Sequence, residues 1–566
     1  MYMKKAFSFL LAAAMLLGLI GCAAQKQAAP ADHVAAAPKS TAIPTQEAEL
    51  TDEAKEMASL LKDTTYLTLQ EAEKIETYYE EAAKRKDSIL DSPSTIVKGD
   101  AFIPGETYSG TAYYISPNGN DEDDGLSPET AWKNPLRCTW NPLSPGDAVF
   151  YERGGVYRFT EMSLRLASGV TYSAYGEGTK PVFTIARENS ARTECWKLQS
   201  ENNGVKIWEY YLDVPDVAGI VLNDESYAYR VLEWPTPDGW LAVDLLEMDP
   251  LNGITAKEDP CTNVQVASAG EYRTIEEGLT EDLTYISRVD ITNISYPFEV
   301  EQAAPGKLYL RCDKGNPGEC FSDIEMIYKN ENDCGVVDAW NADGFVLDNI
   351  SIKYYMDNAV SGNLLRKDAL IQNCTVEWGG NRLFSIQSAE PTNNWCLIGD
   401  GIYGVAANAT IRNNYMRHSG NGCTFESSME MLENMGTYLV EGNVMENCGQ
   451  GIRAYLINEE DTNRFEALIL RDNIIIETGN GMNNACTEEP AAIDLGADKC
   501  SFAKKIEVYN NVLIGSALAI FRVPDPEYMN YDIHDNVVAQ SRDGVLLTMG
   551  YGESSGIRWY TMEMVS

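Results

Sequence analysis

From about Ala112 onward the chain sets short runs of β-branched and aromatic residues between clusters of Gly, Asn, Asp and Pro, and no apolar residue recurs at helical spacing. That texture predicts short strands joined by turns. Farther along, an apolar residue, two variable residues and an asparagine recur as Ile411–Asn414, Val440–Asn443, Leu470–Asn473, Val508–Asn511 and Ile533–Asn536, with looser relatives at Leu347–Asn349 and Ile371–Asn373. The apolar positions 347, 371, 411, 440, 470, 508 and 533 stand 24, 40, 29, 30, 38 and 25 residues apart. The shortest steps set one coil of a solenoid, and the longer ones carry insertions. Coils stacked about 4.8 Å apart bring equivalent turn residues into line, so each asparagine amide can donate to one neighbour and accept from the other. The asparagines are therefore scaffold.

Other stretches break this rhythm. Lys4 and Lys5 precede an apolar run from Ala6 to Ile20, which meets Leu19-Ile20-Gly21-Cys22. The run is short for a membrane span, and residues 1–21 read as a secretory signal. The small residue before the cysteine resembles the lipobox of bacterial lipoproteins, which implies acylation at Cys22 and an exported chain anchored to the cell membrane. Residues 22–50, rich in Ala, Pro and Gln, read as a tether. Residues 51–98 read as helical: Thr51 caps a first helix reaching Lys62, and Thr68-Leu69-Gln70-Glu71 is a capping box for a second that ends before Pro93, with Ile75, Tyr79 and Ala82 on one stripe. First coils are expected over 99–194, a β-rich insertion over 195–335 and the repeats over 336–566.

The series Tyr113–Asp121, Asp124–Trp132, Pro145–Phe150 and Gly169–Gly176 resembles the opening coils of secreted right-handed parallel β-helix proteins, the pectin-lyase-like superfamily. Leu308-Tyr309-Leu310 with Gly315–Glu319 and Ser322–Glu325 resembles a segment found where such chains return to the coil. The resemblance spans roughly Ala112 to Gly550 and implies a protein acting on polysaccharide, as glycosidase or lyase, with calcium often serving the lyases. The rival reading is a silent glycan-binding β-helix, and a monomer is expected in either case.

Charge narrows the partners. The formal charge of −41 becomes −43 when residues 1–21, with Lys4, Lys5 and no acid, are removed. Such an excess opposes nucleic acid and unaided capture of polyanions. Twelve cysteines follow Cys22 without any C-x-x-C pair, so a structural zinc site is not expected. The loop Asn120–Asp124 fails as an EF-hand, because position twelve falls on Ala131, and reads instead as a turn held by Asn and Asp side chains.

Strand alternation points to the chemistry. With Ile402, Cys423, Ile452 and Ile493 inward, Tyr403, Thr424, Arg453 and Asp494 form an outward column with Glu426 and Tyr455 beside it. Glu426 and Asp494 are the expected catalytic carboxylates, two rungs or about 9.6 Å apart, near the span of inverting glycosidases. Arg453 would orient substrate; for elimination, Arg453 or Tyr455 would take the proton. Glu377, Trp378, Tyr403, Asp400 and His418 are expected to shape the substrate groove, with Trp378 stacking on a sugar ring. A histidine-based triad would have to use His418, and no G-x-S-x-G elbow accompanies it.

Overall fold

The computed structural model describes residues 61–67, 71–214, 217–231, 233–236, 239–245, 266–272, 274–289, 306–328, 335–366, 368–380, 399–406, 408–427, 435–456, 465–479, 491–495, 503–516, 519–522, 531–539, 545–553 and 556–563. The expected signal, Cys22, the tether, Thr51 and the Thr68–Gln70 part of the capping box lie outside them.

The chain is mainly β, with long parallel sheets of the β-helix-like kind. Successive strands visit three faces in rotation. The first face is an eleven-stranded sheet whose central column runs Tyr113, Val149, Tyr172, Leu347, Ile371, Ile411, Val440, Leu470, Val508, Ile533 and Leu61 in register. All seven apolar repeat positions read from the sequence share this column. The second and third faces are joined through one long strand, Ser351–Arg366, whose first residues pair on the second face and whose later ones pair on the third. Buried apolar residues from all three faces fill one continuous core.

The corner between first and second faces is a two-residue turn. Its first residue takes a left-handed backbone, with φ of +53° at Asn413, +56° at Asp472 and +54° at Asn510, which Asn and Asp tolerate. Its second residue is the ladder asparagine. Asn414 Nδ2 donates to Asn443 Oδ1, Asn443 to Asn473, Asn473 to Asn511 and Asn511 to Asn536, each at 3.0 Å. The looser repeats depart from this. Asn349 and Asn373 occupy the left-handed position, and Cys374 stands at the ladder position, donating its backbone N–H to Asn414 Oδ1 at 2.9 Å.

The N-terminal segment differs from its reading. The expected second helix forms over Ala72–Asp91, with Glu71 at its N-cap and no side-chain cap bond in place of the capping box, and lays Ile75, Tyr79, Ala82 and Ile89 against Tyr415, Val444, Ile474 and Ile476 on the outside of the second face. The first expected helix, however, ends in strands: Leu61–Lys62 pairs with Ile533–His534 on the first face, and Thr65–Leu67 with Val537–Ala539 on the second. Buried Leu61 and Leu67 cover the last rung, and tertiary burial overrides local helix propensity. At the helix's far end Ser92 O accepts from Arg153 at 2.6 Å and from Asn349 Nδ2 at 3.0 Å, beside the early coils.

Between the early coils and the repeats, strands from Lys197 to Tyr328 build a separate seven-stranded sheet with its own apolar core around Trp196, Tyr210, Tyr285, Leu308 and Leu310. The Asn120–Asp124 loop is the side-chain-held turn expected: Glu122 N donates to Asn120 Oδ1 at 3.2 Å and Leu126 N to Asp124 Oδ1 at 3.0 Å.

Candidate functional site

The three corners are unequal. The first-to-second turn is tight, whereas the third face is bordered by long connections. Segments 381–398 and 480–490 enter it; 428–434, 457–464, 496–502 and 523–530 leave it. A polymer-binding surface on a stacked coil belongs where loops can wall it.

Four consecutive rungs of this face share one local pattern, a first residue, a small residue, an apolar residue and a polar one: Asp400-Gly401-Ile402-Tyr403, Asn421-Gly422-Cys423-Thr424, Gln450-Gly451-Ile452-Arg453 and Ala491-Ala492-Ile493-Asp494. They pair in register, with Tyr403 opposite Thr424, Thr424 opposite Arg453 and Arg453 opposite Asp494. Ile402, Cys423, Ile452 and Ile493 are buried in the core. The glycines are required by close approach: a Cβ at Gly422 would sit 2.7 Å from Gly451 O, and one at Gly451 would sit 2.4 Å from Ala492 O. The strand bends there, so the residue before the glycine meets the residue two after it on the same side. Asn421 Nδ2 thus donates to Thr424 Oγ1 at 3.1 Å as well as to Asp400 Oδ1 at 2.8 Å on the preceding rung.

Arg453 ties the strip together. Its Nε lies 3.7 Å from Asp494 Oδ2, which also accepts from Gln450 Nε2 at 3.2 Å. Burial pushes the Asp400 carboxyl up to about 6, against the opposing pull of Thr424, Arg453 and Asn421. A carboxyl of that kind carries a proton over much of the mildly acidic range and can give it up near neutrality. Thr424 and Asp494, expected on an outward column, are instead buried, because their polar groups are taken up by neighbours on the strip: Thr424 by Asn421, and Asp494 by Gln450 and Arg453. Asp400 and Asp494 stand three rungs apart, about 14 Å along the stack, which exceeds the span of a two-carboxylate hydrolytic pair. Glu426 pairs with Tyr455 in the backbone register, one rung before the Arg453 strand and two before Asp494; the side chains of Glu426 and Tyr455 lie outside the described residues. Asn421 and Gln450 were not singled out by the sequence reading, although the residue ahead of each strand glycine was the signal that marked them.

Three expected groove residues sit elsewhere. Glu377, Trp378 and His418 belong to the second face and its exit corner. Trp378 is fully buried and cannot stack on a sugar; His418 stacks on it, centroids 4.2 Å apart. The corner explains this. Tyr354, Trp378 and His418 occupy equivalent left-handed positions on consecutive rungs, with φ of +53°, +62° and +50°, so their rings are brought into one column. Glu377 is buried between Lys353 Nζ at 3.3 Å and Arg417 Nε at 2.6 Å. Burial and Arg417 lower the His418 imidazole to about 3, which keeps it neutral. Tyr403 and Asp400 are the groove candidates that remain on the third face.

Among the described residues no group of three or more His, Cys, Asp or Glu could hold a metal ion. The described cysteines carry free thiols, and buried Cys374 and Cys423 act as small core residues.

No protein-family model matches the chain, and no curated protein matches it either. Among solved structures it is similar to XylC in complex with xylose, at 12% identity over 80% of this chain and 73% of that one, with a TM-score of 0.36. A glycoside hydrolase is similar at 10% identity over 76% and 96%, TM-score 0.36. A family 28 exopolygalacturonase of Yersinia enterocolitica is similar at 10% identity over 76% and 70%, TM-score 0.25.

Proposed function

We propose that the protein is a right-handed parallel β-helix that cleaves a glycan along its third face, by hydrolysis. The observation that carries this reading is the unbroken strip Tyr403, Thr424, Arg453, Asp494, on a face with long connections at both its borders, with Arg453 against Asp494. Hydrolysis needs one carboxylic acid to protonate the glycosidic oxygen and one carboxylate to take a proton from the attacking water. Glu426 and Asp494, two rungs apart, are the working pair. Arg453 on the rung between orients substrate, Tyr455 adjoins it, and Tyr403 contacts the sugar at the strip's near end, with buried Asp400 behind it. The net negative charge favours neutral glycans, and hence hydrolysis over elimination.

The test is a glycan panel read for both new reducing ends and unsaturated uronates. On the substrate found, Glu426→Gln and Asp494→Asn are each expected to lower turnover by about 10²–10⁴-fold in folded protein. Unsaturated products would replace hydrolysis by elimination, binding without product would make the protein a glycan binder, and near-normal turnover in both variants would move the site.

The chain is further proposed to be exported and lipid-anchored through Cys22, on the strength of Leu19-Ile20-Gly21-Cys22. Cys22→Ala is then expected to abolish lipid labelling and membrane partition in a bacterial host, and persistence of both would remove the proposal.

A further inference from the structure

We infer that the second face carries a carboxylate receptor, built by Lys353, Tyr354, Trp378 and Arg417, which the protein fills with its own Asp224. The site is on a different face from the proposed cleavage strip and does not depend on it.

Asp224 is at the tip of the hairpin joining Val217–Leu222 to Ser226–Arg230 in the side sheet. Asn223 and Asp224, with φ of +54° and +55°, are the central residues of a tight turn closed by Glu225 N donating to Leu222 O at 3.2 Å. Four donors from three consecutive rungs of the coil converge on this one carboxylate. Lys353 Nζ lies 2.5 Å from Oδ2, Trp378 Nε1 donates to Oδ1 at 2.7 Å, Tyr354 OH donates to Oδ1 at 3.2 Å, and Arg417 Nη2 stands 3.7 Å from Oδ1. Arg417 Nη2 also donates to the Asp224 backbone oxygen at 3.1 Å.

Tyr354 and Trp378 aim their donors at Asp224 from the left-handed position that this corner imposes on successive rungs, His418 included. Charge marks the site as built. Lys353 and Arg417 share Glu377 between them, at 3.3 and 2.6 Å, so without Asp224 two mostly buried cations would have one carboxylate in direct contact, with Asp323 farther off. The remaining single positive charge with two neutral donors suits a monocarboxylate. The ligand class is therefore a small monocarboxylate, supplied in cis. The side sheet has a second clamp on the coil, Arg158 to Glu325 at 2.7 and 3.0 Å, so loss of Asp224 leaves it attached.

Chemical rescue tests this. Asp224→Gly empties the receptor, and its thermal unfolding midpoint is expected to fall below that of the parent. Sodium acetate should restore the midpoint with a saturating dose response, whereas acetamide, and sodium chloride at the same ionic strength, should not. The parent should show no acetate-specific shift, and adding Lys353→Met to Asp224→Gly should abolish the response. Equal effects of acetate and chloride, or an equal acetate shift in the parent, would overturn the inference. Should Asp224→Gly fail to fold, Asp224→Asn preserves shape and removes only the charge; an unchanged midpoint in that variant would overturn it too.

Discussion

At the scale of single residues, Asp400 is the group whose environment departs most usefully from water. Burial lifts its carboxyl from 3.8 to about 6. In the unfolded chain it would lose its proton near its ordinary value, so the folded state is the one that binds the extra proton. Its contribution to stability is greatest below about pH 4, falls as pH rises through about 6, and is constant above that. A shift of about two units corresponds to roughly 2–3 kcal/mol. Asp400→Asn removes the titration, so the stability of the parent relative to this variant should drop by about that amount between pH 4 and pH 7. Asp323, Glu325 and Asp338 are also raised by burial, but they titrate in both proteins and cancel in the difference. Parallel denaturation midpoints across that range would show that Asp400 meets water in the folded state. The sequence placed Asp400 beside the groove because it closes a long insertion, but its burial arises from rung neighbours 21 and more residues away, which a linear reading does not weigh.

At the scale of elements, the asparagine corner joins sequence to stability. Asn473 accepts from Asn443 N at 3.1 Å and from Asn443 Nδ2 at 3.0 Å, and donates to Val440 O at 2.9 Å. Asn473→Ala strands these buried partners, at an expected cost of about 1–3 kcal/mol in a denaturant titration. An unchanged midpoint would mean that the bonds are replaced by water at no cost. This corner was legible because its residue type and spacing repeat: Val440, Leu470 and Val508 share a column as the spacing required. The register of the third-face strip was legible for the same reason, through alternation about Cys423, Ile452 and Ile493, whereas the burial of Thr424 and Asp494 was not. The second-to-third corner was not. A left-handed Trp378 or His418 carries no sequence signature, since Gly, Asn and Asp are the residues expected there. Trp378 opens a long insertion, which is why the sequence points it to a groove, whereas the corner turns it under the side sheet.

At the scale of the whole molecule, the chain closes its last rung with its own beginning. Strands Tyr531–His534 and Val537–Ala539 would otherwise present unpaired backbone groups, with Ile533 and Val538 beneath them, which is a template for pairing with another chain. Leu61–Lys62 and Thr65–Leu67 occupy that edge: Thr65 N donates to Asn536 O at 2.8 Å and Asp535 N to Lys62 O at 3.0 Å. The helix Ala72–Asp91 then carries the chain back along the second face, packed on Tyr415, Val444 and Ile474, which holds the strands near their partners. The sequence showed the helix through its apolar stripe, but the strands before it have meaning only once the far end of the chain has folded. A chain beginning at Glu71 keeps the helix and loses the guard. It is expected to self-associate with rising concentration in light scattering and to unfold at a lower temperature than the parent. Restoring residues 61–67 as a separate peptide should reverse the association, because a strand paired in parallel with Ile533–His534 and Val537–Ala539 serves equally when supplied in trans. A truncated chain that stays monodisperse and equally stable would show that the last rung is protected by something other than this strand pair.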